Sequence, residues 1–166
     1  MFIRKNTMPE FASRSANMDR YIQDFLRRKP GGVIAELGCG LETTFYRNDN
    51  GHTRWYAVDL PDVMEYRKTL LLEPERQTYF AGDAFSDDWI RRIRIDVPDA
   101  PVLVTAGGLF HYFEEEKVLA LMRMLQSFGN EEPYYRHIDK TGLKLSTKLS
   151  MNVSDRFCMV KMVHVK

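Results

Sequence analysis

The chain has 166 residues, 44% of them hydrophobic and 28% charged, with a formal net charge of +1. That length supports one sizeable core, and the near-neutral balance excludes the chain as a whole from the polyanion binders. Its two cysteines, Cys39 and Cys158, lack any CxxC spacing, which excludes a zinc ribbon or disulfide framework, and no apolar run reaches the ~20 residues of a membrane span.

Residues 1–14 carry no apolar stretch with a small-residue cleavage site, so a soluble, cytoplasmic chain is expected. Met18, Tyr21, Ile22, Phe25 and Leu26 recur at helical spacing and predict a helix over 17–28, ended by Pro30-Gly31-Gly32. Val33 to Leu37 is a short apolar run stopped by Gly38-Cys39-Gly40, the pattern of a buried strand feeding a tight turn. Asn48 to Gly51 is turn chemistry, Trp55 to Val58 a second strand closed by Asp59, and Pro61 opens a helix running to about Leu72. Thr78 to Ala81 predicts a third strand before Gly82-Asp83, and Ser86 is the expected N-cap of a helix through Ile95. Val102 to Ala106 reads as a fourth strand ending in Gly107-Gly108, and 114–128 as an amphipathic helix. Strands alternating with helices imply an α/β fold with a parallel sheet covered on both faces.

After Gly129 the rhythm fails. Residues 134–138 are at best a short strand, 143–151 could be strand or helix, and 157–165 predict a final strand. Arg136 and His137 would be costly inside a buried parallel strand. From Arg136 to Lys166 there are seven basic residues against two acidic, with Lys140, Lys144 and Lys148 four apart. A solvated face explains these better than nucleic-acid binding, since no aromatic motif interleaves them.

Three strand ends carry the chemistry. The first is Glu36-Leu37-Gly38-Cys39-Gly40, where glycines permit a tight turn and close approach of a ligand, although an ordinary strand-to-helix turn would look the same. The second is Asp59, which can accept hydrogen bonds from a ribose diol or cap the helix at Pro61. The third is Asp83, in Gly82-Asp83-Ala84-Phe85, which can accept from an adenine amino group beside an aromatic cover, or simply shape a turn. Thr43 in place of a third glycine weakens a nicotinamide-dehydrogenase reading, and a P-loop is excluded by the missing Gly-Lys-Ser/Thr ending. His52, His111, His137 and His164 show no ligand spacing, so no metal is expected.

The run from Glu36 to Arg47 resembles the leucine carboxyl methyltransferase and polyketide O-methyltransferase family. So do Trp55 to Pro61, Leu109 to Glu116 and the leading Arg14-Ser15-Ala16-Asn17-Met18-Asp19, over roughly residues 12–126. The resemblance implies a Rossmann-like class I methyltransferase sheet, incomplete in its C-terminal strands, with S-adenosylmethionine as methyl donor. By the family pattern Arg14 pairs with the methionine carboxylate, Gly38 and Gly40 lie against the methionine portion, Asp59 takes the ribose, and Asp83 with Ala84 the adenine. Glu36 and Gly107 complete the cofactor set. The implied activity is O-methylation of a carboxylate or hydroxyl on a small-molecule or polyketide-like acceptor. A carboxylate acceptor needs no general base, whereas a hydroxyl would call on Tyr112 or His111.

Two departures bear on this reading. Gly107-Gly108 stands where the family has a Glu-Gly pair, and few residues separate Gly129 from the final strand. One domain over 1–166 is therefore expected, with a helical segment (1–31), a cofactor-binding core (32–128) and an abbreviated C-terminal part (129–166). The alternative is a non-catalytic binding module, and a sheet short of strands would leave an edge that invites a homodimer.

Overall fold

The computed structural model describes the backbone of residues 7–128, 133–137 and 154–162, and side chains over 15–125 apart from residue 111. Six strands form one sheet: β1 (Val33–Leu37), β2 (Arg54–Asp59), β3 (Gln77–Ala81), β4 (Val102–Gly107), β5 (Pro133–His137) and β6 (Ser154–Met162). Their order is β3-β2-β1-β4-β6-β5 and every pairing is parallel. The chain therefore steps outward from β1 to β3, then returns to the other side of β1 with β4, which makes the β1–β4 seam the switch point. The helices are α1 (Thr7–Arg28), α2 (Thr44–Asn48), α3 (Pro61–Leu70), α4 (Asp88–Asp96) and α5 (Glu115–Phe128), with a 3-10 turn at Leu109–Tyr112. Among the described residues no helix is long and apolar enough to cross a membrane.

The period of two along each strand sorts the core into layers. Val33, Ala35 and Leu37, with Tyr56, Val58, Val102, Val104 and Ala106, pack against Trp89, Ile90 and Ile93 of α4 and Val118, Leu121 and Leu125 of α5. The alternating residues Ile34, Trp55 and Leu103 meet Met18, Ile22, Phe25 and Leu26 of α1 and Phe45 of α2. Ala57 and Tyr79 meet Met64 of α3. Because both faces are covered, β1 is buried along its whole length, as its unbroken apolar run implies. Glu36 shares the α1 face with Ile34, and Thr105 shares it with Leu103, so two polar side chains stand at the carboxyl end of that layer.

Several boundaries differ from the sequence reading. α1 begins ten residues earlier than expected, at Thr7. Met8, Phe11 and Ala12 continue the helical spacing upstream, and Pro9, which reads as a breaker, falls in the first turn, where a missing N–H leaves no helical bond unmade. α4 starts at Asp88 rather than after Ser86. Asp87 takes the capping position without a side-chain cap bond, and its carboxylate instead accepts from Arg91 at 2.6 Å. β6 begins three residues before the predicted final strand, and β5 lies at the outer edge of the sheet. The side chains of Arg136 and His137, expected to be costly in a buried strand, lie outside the described residues. The segment 143–151 lies outside the described residues.

Candidate functional site

β1 runs directly into the glycine turn. The Gly38 N–H still donates to the Val58 carbonyl at 2.9 Å, after which the chain turns with φ of +63° at Gly38 and +46° at Gly40. Both values fall in the left-handed region that favours glycine. The two glycines serve different ends. A Cβ on Gly38 would lie 2.8 Å from Leu109 Cδ1, so the crowding there comes from the loop after β4 and not from a ligand. A Cβ on Gly40 would meet nothing within 4 Å, so the space beside its Cα is open.

The turn is held from behind. The Gly40 N–H donates to Asp59 Oδ2 at 2.7 Å, while Asp59 Oδ1 accepts from the Leu60 N–H at 2.8 Å. Leu60, not Asp59, occupies the capping position of α3, so this carboxylate serves the loop rather than the helix. From α3, Arg67 donates through Nη1 to the Gly40 carbonyl at 2.7 Å and through Nη2 to the Glu42 carbonyl at 2.9 Å.

In front of the turn a crevice opens at the switch point. It is lined by Glu36, Gly38 and Glu42, by Thr105 and Gly107 at the end of β4, by Ser15 and Met18 of α1, and by Thr44 and Arg47 of α2. Ligands of open parallel sheets gather at such a place, beside strand ends where the order reverses. Glu36 and Thr105 are register partners across β1 and β4. Burial pushes the Glu36 carboxyl up from 4.5 to about 7, against hydrogen bonds from Thr44 and Trp55 and the positive charge of Arg67. Trp55 Nε1 donates to Glu36 Oε2 at 3.1 Å. Thr105 is 1% exposed, and its hydroxyl has no hydrogen-bond partner among the described residues. A buried hydroxyl without a partner, next to an open crevice, is satisfied by a polar group arriving from outside.

The α1 wall of the crevice is tied down by one carboxylate. Asp19 accepts from Arg47 Nε at 2.8 Å and Nη2 at 3.1 Å, and from the buried Asn48 amide at 2.7 Å. Asn48 in turn accepts from Gln23 Nε2 at 3.2 Å.

Of the residues expected from sequence, Glu36, Gly38 and Gly107 line the crevice, and Gly40 and Asp59 are joined to each other beside it. Asp83 and Ala84 stand one strand further out, past the end of β3. Asp83 is exposed and its Oδ1 accepts from the Phe85 N–H at 2.9 Å, so the turn role is real. The Ala84 side chain belongs to the core, and its carbonyl accepts from Trp89 Nε1 at 3.1 Å. The Phe85 ring lies 4.4 Å from that of Phe113, with Lys117 Nζ 4.6 Å above both. Arg14 falls inside α1 rather than ahead of the first helix, and its side chain, like that of His111, lies outside the described residues. Tyr112 is 83% exposed.

Sequence reasoning missed Arg67 and Thr105. A signal for Arg67 was present, since it follows the buried Met64 by one helical turn and so places a charge on the core stripe of α3. Thr105 offered none, because a threonine within an apolar strand is ordinary.

A parallel sheet with helices on both faces, a crevice at the β1–β4 switch point and the order β3-β2-β1-β4 is a Rossmann-like sheet of the class I methyltransferase kind, although β6 lies between β4 and β5, where the usual order has the fifth strand. Residues 3–126 match the leucine carboxyl methyltransferase family, and the chain belongs to that family. Over 103 residues it is 32% identical to the tetracenomycin polyketide synthesis O-methyltransferase TcmP of Streptomyces glaucescens. That similarity covers 61% of this chain and 37% of the relative, so the chain matches little more than a third of the length of that protein.

Proposed function

We propose that the chain binds S-adenosylmethionine in the β1–β4 crevice as part of an O-methyltransferase, acting on a carboxylate or hydroxyl of a small-molecule, polyketide-like acceptor. The observation that carries this reading is the buried Thr105 hydroxyl, without a partner among the described residues, lining the same crevice as Glu36. Together these suit the cationic amino end of the cofactor, with the open face of Gly40 free to take its methionine portion. Asp59 keeps lone pairs for the ribose diol beyond the two backbone donors it already accepts. Arg14 for the methionine carboxylate and Asp83 with Ala84 for the adenine complete the proposed set. When bound, the cofactor supplies a sulfonium-activated methyl group. The chain's own contribution is to bind, orient and exclude water, since alignment alone lowers such barriers substantially.

Within this reading residues 1–31 form a helical segment, 32–128 the cofactor core and 129–166 an abbreviated C-terminal part, in a cytoplasmic protein that is able to pair with itself. Titration calorimetry with S-adenosylhomocysteine tests the binding step, and radiolabelled methyl incorporation into carboxylic acids, phenols and peptides tests the transfer. Absence of any heat of binding at millimolar ligand would sink the proposal. A second reading, a cofactor-binding module without turnover, is favoured by the family match stopping at residue 126 of 166. Saturable binding without methyl incorporation would select it.

A further inference from the structure

Gly40 combines two properties that together demand an external constraint. Its φ is +46°, and the space beside its Cα is empty, so neither a side chain nor a packed neighbour limits its rotation. Beside the bond from the Glu42 N–H to the Cys39 carbonyl that closes the turn at 2.9 Å, a pair of hydrogen bonds on opposite sides of the Cα holds it. The N–H is held by Asp59 and the C=O by Arg67, so the peptide planes before and after Gly40 are both pinned, and with them φ and ψ.

Arg67 is 0% exposed, with its guanidinium carbon 4.9 Å above the Tyr79 ring centre. A buried guanidinium is an expensive way to fill space unless its donors are used, and here both terminal nitrogens are spent on main-chain carbonyls of the turn. The planar fork spans Gly40 and Glu42, two residues apart, which an ammonium point charge cannot reproduce.

We infer that Arg67 is a positioning residue of the crevice, setting the Gly40–Glu42 turn in the form that meets the cofactor and coupling it to Asp59. Asp59 stands just before α3 and Arg67 in its last turn, and both bond to Gly40, so the strand end proposed for the ribose and the turn proposed for the methionine portion move as one unit. The inference rests on the cofactor reading above.

The test compares Arg67→Gln and Arg67→Lys with the parent chain by two measurements. The N–H groups of Gly40 and Glu42 are bonded to Asp59 and to the Cys39 carbonyl, respectively. If the Arg67 bonds to the carbonyls hold that turn closed, hydrogen exchange of these two amides, followed residue by residue by NMR, should quicken about tenfold, the factor one such bond is worth, with the amides of β1 and β2 unchanged. Affinity for S-adenosylhomocysteine should fall by about the same factor, with Lys restoring only part of it. Should Arg67→Gln fail to fold, Arg67→Lys keeps the charge and carries the comparison. Unchanged exchange at Gly40 and unchanged affinity in a folded variant would overturn the inference, and so would uniform acceleration across β1 and β2, which marks a merely structural residue. A parent chain that binds no S-adenosylhomocysteine refutes the cofactor reading and the role assigned with it, while the exchange data decide separately whether Arg67 fixes the turn.

Discussion

At the scale of single residues, Glu36 and Asp59 are both strand-end carboxylates, in different surroundings. Asp59 is partly exposed and accepts two backbone N–H groups, whereas Glu36 is buried against Trp55 and carries a pKa pushed up to about 7 by desolvation. In the unfolded chain Glu36 titrates near 4.5, so between there and 7 the native state holds a proton that the unfolded chain has released. Stability from this group is therefore greatest below the window and falls as pH rises through it, by an amount on the order of 3 kcal/mol. Glu36→Gln keeps an acceptor for Trp55 Nε1 and removes the titration. The variant should overtake the parent in Tm by pH 8 and match it near pH 5, and parallel Tm curves across that range would refute the assignment. For Asp59, replacement by Ala removes both the proposed ribose acceptor and the partner of the Gly40 N–H. Binding of S-adenosylhomocysteine should weaken by about 1.5–3 kcal/mol, the value of hydrogen bonds to a charged group. Calorimetry showing parent-like affinity would remove Asp59 from the site.

At the scale of elements, the α1–α2 contact predicts that a single carboxylate governs one wall of the crevice. Asp19→Ala leaves the Asn48 amide, buried at 6% exposure, with only its bond to the Thr44 carbonyl on the donor side, and removes the ion pair of Arg47, which keeps its bond to Thr43. A loss of roughly 1–3 kcal/mol in urea unfolding is expected, because a buried donor is left short of a partner. A change within about 0.5 kcal/mol, the range of an ordinary surface substitution, would show that α1 is held by its apolar face alone. How far such elements were legible depended on whether packing left a mark in the sequence. β1 and β4 were plain because both faces are covered and the apolar run is continuous, and the Gly38–Gly40 turn was plain because left-handed angles need glycine. The start of α1 was not, since Pro9 and the small polar residues Ser13 and Ser15 break up an apolar spacing carried only by Met8, Phe11 and Ala12. The reason given for Gly38 was also incomplete: Leu109 crowds it, a contact from seventy residues away that no local pattern can carry. Asp59 showed its place at a strand end but not its choice between loop and helix, because both partners lay within reach of one carboxylate.

At the scale of the whole molecule, the strand order itself is testable. The last strand in sequence, β6, does not lie at the sheet edge but between β4 and β5, paired on one side through Val102–Gly107 and on the other through Pro133–His137. A strand bonded on both sides opens only when the sheet around it opens, whereas an edge strand can peel away from a single neighbour. Amides of Cys158 to Lys161 should therefore exchange more slowly than those of Tyr134 to His137, although β6 is the later strand and the closer to the chain end. Val160 sharpens the test, because its register partners are Thr105 in β4 and Arg136 in β5. A proline there removes an N–H from an interior strand, a substitution tolerated only at edges or bulges. Val160→Pro should detach β5 together with β6, bringing the exchange of Tyr134 to His137 to the rate of free peptide while the β1–β2–β3 side keeps its protection. Faster exchange in β6 than in β5, or β5 protection that survives the proline, would reverse the order of the two outer strands.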